Sequence, residues 1–73
     1  MRQPTMEITL NNRKESIPEV DRMTVRELLD IKKYTFKFLV VRLNGQVVPE
    51  TSYDGTLVSD GDRVMVLHLM AGG

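Results

Sequence analysis

Only one stretch of this 73-residue sequence has helical spacing, and it lies among segments that alternate like strands. Val25, Leu28 and Leu29 recur at i, i+3 and i+4, the stripe that a surface helix turns towards a core. Thr24-Val25-Arg26-Glu27 has the S/T-x-x-E spacing of a capping box, in which the Thr hydroxyl and the Glu carboxylate satisfy the otherwise unpaired first amides. Lys32 and Lys33 suit the negative end of the helix dipole. One short helix cannot bury its own apolar stripe, so the remaining segments must supply a sheet for it to cover.

Residues 6–10, Met-Glu-Ile-Thr-Leu, alternate and predict a first strand. Asn11-Asn12-Arg13-Lys14 has turn chemistry. Residues 15–20 can return as a second strand, and Pro18 places that strand at an edge or keeps it short. Beyond the helix, residues 39–43 are β-branched and apolar and predict a mostly buried central strand. Asn44-Gly45 is a strong hairpin signal because both residues tolerate positive φ. Residues 46–48 return as a short strand that Pro49 ends, and residues 52–62, with Asp54-Gly55 and Asp60-Gly61, read as loop and turn. Residues 63–69 form the last strand. With one helix, the economical solution is an α+β chain: a mixed sheet of four to five strands packed on one face by one main helix, in a β-grasp arrangement. We expect a single domain over residues 1–69 and a flexible tail over residues 70–73.

Composition removes most function classes. No cysteine is present, so the chain has neither a disulfide framework nor a thiolate nucleophile or ligand. There is one histidine, His68, and neither a Walker-type phosphate loop nor G-x-G-x-x-G. Ten basic residues balance ten acidic ones, which argues against bulk attraction to nucleic acid or an anionic membrane. No apolar run is longer than that of residues 38–41, far short of a membrane span, and the start of the chain lacks the apolar segment of a signal peptide. We expect a soluble, cytoplasmic protein that is not itself an enzyme and binds neither metal nor cofactor.

Three features remain as candidate sites. The chain ends Leu69-Met70-Ala71-Gly72-Gly73. Two terminal glycines arise by chance in about 0.5% of chains at average usage. Glycine lets backbone approach partner atoms closely, as a carboxylate threaded into another protein's channel must. In the last strand, Val64 and Val66 lie on one face and Met65, Leu67 and Leu69 on the other. A sheet with one helix covers one face only, so the strand is either central and shielded on both faces or presents a protein-binding patch. We take Met65, Leu67, Leu69 and Met70 as the candidate partner-binding surface. His68 reads as a surface or edge residue. The interleaved basic and aromatic residues 32–38 match single-stranded nucleic-acid binding in pattern, but packed aromatics beside solvated lysines account for them.

Together, the helix motif of residues 24–29, the Val40-Val41-Arg42-Leu43-Asn44-Gly45 segment, Leu57 with Asp60-Gly61-Asp62 and Val64, and the terminal Gly72-Gly73 resemble the ThiS/MoaD family of ubiquitin-like sulfur carriers, over nearly the whole chain from Met6. The resemblance implies a ubiquitin-like β-grasp and a carrier role for the carboxylate of Gly73, with Gly72 and Ala71 threading the tail. A ubiquitin-activating-type adenylyltransferase (ThiF/MoeB-like), using its own ATP and Mg²⁺, would adenylate that carboxylate. A sulfur donor would convert it to a thiocarboxylate. Thiazole synthase (ThiG-like), in thiamine biosynthesis, or the large subunit of molybdopterin synthase would take the sulfur. The tail looks like ThiS-type tails and lacks the proline common near the end of MoaD-like ones, which favours the thiazole branch. The alternatives are a MoaD-like subunit, a modifier conjugated to lysines, and an interaction domain with an inert tail. Residues 1–5 exceed the usual start of such chains and have no assigned role.

Overall fold

The computed structural model describes residues 4–34 and 38–68. Strand β1 (Thr5–Leu10) turns through Asn11-Asn12 into β2 (Arg13–Pro18). A short β3 (Arg22–Thr24) leads directly into α1 (Val25–Ile31). Strands β4 (Leu39–Leu43) and β5 (Gln46–Val48) form the second hairpin. A 3-10 turn at Glu50–Ser52 precedes β6 (Leu57–Ser59) and the final β7 (Arg63–His68). Five strands form a mixed sheet in the order β2-β1-β7-β4-β5, while β3 and β6 form a separate two-stranded ribbon. This is the expected ubiquitin-like β-grasp, with β7 at its centre.

The core lies between the inner face of the sheet and α1. Met6, Ile8 and Leu10 from β1, Val41 from β4, Val48 from β5, and Val64 and Val66 from β7 are buried with Val25, Leu28 and Leu29 of the helix. The ribbon closes one end of this layer with Met23 and Val58, and Tyr53 packs beside them. The helix starts as the capping box requires. Glu27 N–H donates to Thr24 Oγ1 at 3.0 Å, and Thr24 N–H donates to Glu27 Oε1 at 2.9 Å. At the other end, Lys32 Nζ lies 2.8 Å from Glu15 Oε1, tying the helix terminus to the edge strand β2.

Several boundaries differ from the sequence-based expectation. Strand β2 begins at Arg13 rather than residue 15. Asn11 and Asn12 both take positive φ (51° and 68°), so two residues complete the turn and Arg13 already pairs with Leu10. Pro18 does mark an edge strand. Residues 52–62 are not wholly loop, because β6 pairs antiparallel with β3 through Met23↔Val58. Three-residue strands are too short to show alternation in sequence. Strand β4 is interior but not mostly buried: Val41 is covered, whereas Arg42 is exposed. The final strand is described to His68, and Leu69 lies outside the described residues, as does the proposed domain boundary with the tail.

Leu28 has 0% relative exposure, whereas Thr24 contributes a cap near the surface. Leu28→Ala should therefore cost about 3 kcal/mol, most of a stability of about 5 kcal/mol for so small a domain. Thr24→Ala should cost about 1 kcal/mol. Urea denaturation of the two variants checks the ranking, and equal losses would contradict the packing described.

Candidate functional site

Strand β7 has two unlike faces because its neighbours cover only one of them. Val64 and Val66 are buried under the helix. Met65 is half-buried and Leu67 is 38% exposed on the face that no helix covers. Register adds residues that the sequence analysis did not single out. Val40 lies directly opposite Leu67, Arg42 opposite Met65, and Val47 opposite Arg42. Residues so paired have neighbouring side chains on one face. Val47 is 60% exposed. The open face therefore groups Val40, Val47, Met65 and Leu67 around Arg42. The apolar run of β4 concealed this, since sequence alone suggested burial for Val40 and gave no register for Val47.

Hydrogen bonds hold both ends of β7. At its start, Asn44 N–H donates to the Arg63 carbonyl at 2.7 Å, and Arg63 N–H donates to Asn44 Oδ1 at 2.9 Å. Asn44 (φ 51°) and Gly45 (φ 86°) form the turn with the two positive φ angles anticipated from Asn-Gly. Asp62 accepts from the Asn44 amide at Oδ1 and from Ser59 N–H at Oδ2, fixing the loop that enters the strand. Further along, β1 pairs in parallel through Thr9↔Arg63 and Leu10↔Val64. Beyond that point the Asn11 side chain replaces the backbone ladder, its Oδ1 accepting from Val66 N–H at 2.7 Å. Val40 and Leu39 of β4 continue to accompany β7 opposite Leu67 and His68.

The remaining sequence-based candidates fall as follows. Leu69, Met70, Ala71, Gly72 and Gly73 lie outside the described residues. His68 is exposed at the end of β7, although it shares the parity of Val64 and Val66. Within the basic and aromatic stretch, Lys32 is paired with Glu15, Tyr34 packs against the core, and Phe38 is 66% exposed. Residues 35–37 are outside the described set. These residues form no continuous stacking surface among those described.

A depression of about 270 Å³ beside the helix is lined by Arg26, Asp30, Tyr34, Glu50 and Tyr53, among others. Arg26 stacks over the Tyr53 ring at 5.2 Å and lies 3.3 Å from Asp54. Burial pushes the Tyr53 phenol above 10.0, the Glu50 carboxylate adds to this, and the Arg26 guanidinium opposes it. A phenol so held stays protonated near neutral pH. Among the described residues, no group of three or more His, Cys, Asp or Glu could hold a metal ion. No helix among them is long and apolar enough to cross a membrane.

Comparison with known proteins agrees with the geometry. The model of the ThiS family matches residues 4–73. A crystal structure of the thiamine biosynthesis protein ThiS from Geobacter metallireducens superposes with a TM-score of 0.85 at 35% identity, covering 93% of this chain and 100% of that one. The solution structure of a thiamine biosynthesis protein from the same organism gives a TM-score of 0.77 at 34% identity, over 93% and 88% of the two chains. No curated protein sequence matches. A family match over nearly the whole chain, together with the shared β-grasp, leads to one assignment: the chain belongs to the ThiS family.

Proposed function

We propose that the chain is a sulfur carrier for thiamine biosynthesis, acting through the carboxylate of Gly73 rather than as an enzyme. The family match through residue 73, and hence through Gly72-Gly73, is the observation that most supports this reading. The thiazole branch is favoured over molybdopterin because the similar solved structures are thiamine biosynthesis proteins.

The chemistry follows from the weakness of a carboxylate as an electrophile. A carboxylate oxygen of Gly73 attacks the α-phosphorus of ATP held by a ThiF/MoeB-like adenylyltransferase, and pyrophosphate leaves. The resulting acyl-adenylate has AMP as its leaving group. A sulfur donor attacks the acyl carbon and AMP departs. Where the donor is a persulfide, a second thiol cleaves the S–S bond of the acyl disulfide, forming a disulfide with the donor and leaving a thiocarboxylate, whose sulfur passes to a ThiG-like thiazole synthase. ATP and Mg²⁺ belong to the activating enzyme. Gly72 and Ala71 keep the approach to the carboxylate narrow. The open face around Met65 and Leu67 docks the partners, and Leu69 and Met70, outside the described residues, are assigned to the same contact. That face is apolar where a helix could have covered it, and β7 leads from it directly towards the tail.

Two outcomes test this reading. Deleting Gly73 should abolish ATP-dependent pyrophosphate release with the activating enzyme while leaving the melting temperature within about 2 °C, because the last residue of a domain usually adds little stability. Sulfur transfer by the shortened chain would sink the carrier reading. Leu67→Asp should weaken binding to the activating enzyme at least tenfold and change stability by less than about 1 kcal/mol, as expected for an exposed position. A loss of several kcal/mol would instead make Leu67 part of the core.

A further inference from the structure

We infer that the open face is polarised along β7, and that its basic end docks an acidic patch on the activating enzyme, fixing the direction in which the tail is presented. This rests on the carrier reading above. The outward residues of β7 run Arg63, Met65, Leu67, from charged to apolar, in the direction of the tail. Arg42, opposite Met65, adds a second guanidinium to the basic half, while Val40, opposite Leu67, extends the apolar half. Four residues of strand separate Arg63 from Leu67, about 13 Å. The two halves therefore touch different parts of a partner.

The basic half is shaped to receive something. Arg42 and Arg63 line a depression with Asn44, Gly45, Gly61 and Met65. A Cβ added at Gly45 or Gly61 would meet nothing within 4 Å, so space lies open above both glycines. Both arginines are exposed. The ion pairs among the described residues are Arg26–Asp54 and Lys32–Glu15, and neither arginine of the depression takes part. Nearby carboxylates accept hydrogen bonds from other groups and form no ion pair with either arginine. Asp62 accepts from Ser59 N–H and the Asn44 amide, Asp60 from Glu7 N–H, and Glu7 from the Ser16 hydroxyl.

A guanidinium presents a planar fork that fits a carboxylate with two parallel hydrogen bonds. Phosphate would satisfy the same fork, but a nucleic-acid surface needs a broad basic field, and this chain has zero net charge. The half-buried Met65 and the exposed Val47 flank Arg42, so the matching surface sets Asp or Glu side chains beside apolar ones, as a protein does.

The test uses the full chain with its activating enzyme, comparing the unaltered protein with Arg42→Glu, Arg63→Glu, the double variant, both Arg→Lys variants and Leu67→Asp. Thermal melts confirm folding. Each charge reversal should raise the KM for the carrier about tenfold and the double variant about fiftyfold, with kcat within about twofold, because docking is lost while the tail chemistry is retained. Lys variants should fall between. Raising salt from about 50 to 500 mM should weaken the unaltered protein and leave the double variant nearly unchanged. If both reversals bind like the unaltered protein while Leu67→Asp does not, docking uses the apolar half alone and the inference is overturned. If Leu67→Asp is also silent, the open face is not the docking surface. If the unaltered chain is not adenylated at all, the carrier reading falls and takes the inference with it.

Discussion

The parallel pairing of β1 with β7 is the contact on which the rest of this fold depends. Parallel neighbours cannot be joined by a tight turn, so everything between Leu10 and Arg63 is a crossover that must find its own packing. The helix, the β3–β6 ribbon and the second hairpin are all part of that crossover. Once β7 is inserted between β1 and β4, its valines complete the core under the helix. The chain then reaches its carboxyl-terminal residues from the middle strand of the sheet rather than from an edge. Asn11 serves this arrangement twice. Its positive φ turns β1 into the hairpin, and its side chain accepts the Val66 amide where β1 has diverged.

A sheet with one helix has one face to spare, and here the two faces are unlike. Burial on the inner face supplies stability, since Met6, Val25, Leu28, Val41, Val58 and Val64 are fully enclosed. Among the described residues, the outer face carries apolar side chains that no helix covers, next to two arginines outside the ion pairs. Under the proposed docking role, substitutions on the outer face should change association without unfolding the domain.

Much of this was legible in the sequence where a local rule is strong. The capping box at Thr24 and Glu27, the helical stripe of Val25, Leu28 and Leu29, the Asn44-Gly45 turn and the edge position announced by Pro18 all describe short-range geometry. The β3–β6 ribbon was not legible, because three residues cannot display a period and their partners lie far apart in sequence. The composition of the open face was only half legible. Alternation separates Met65 and Leu67 from Val64 and Val66, but Val40, Arg42 and Val47 join them only through strand register. Arg42 lies in the segment of residues 40–45 and Arg63 in the last strand, but nothing in the sequence joins them, and their proximity is a product of the fold.

The proposed carrier role turns on one conversion, that of the Gly73 carboxylate to a thiocarboxylate. The most direct measurement is the intact mass of the purified protein after incubation with the activating enzyme, ATP, Mg²⁺ and a sulfur donor, with fragmentation to locate any change. A species heavier by the difference between a sulfur and an oxygen atom, with the change confined to Gly73, is the predicted result. A protein that stays at its unmodified mass while the enzyme turns over a known carrier under the same conditions would contradict it.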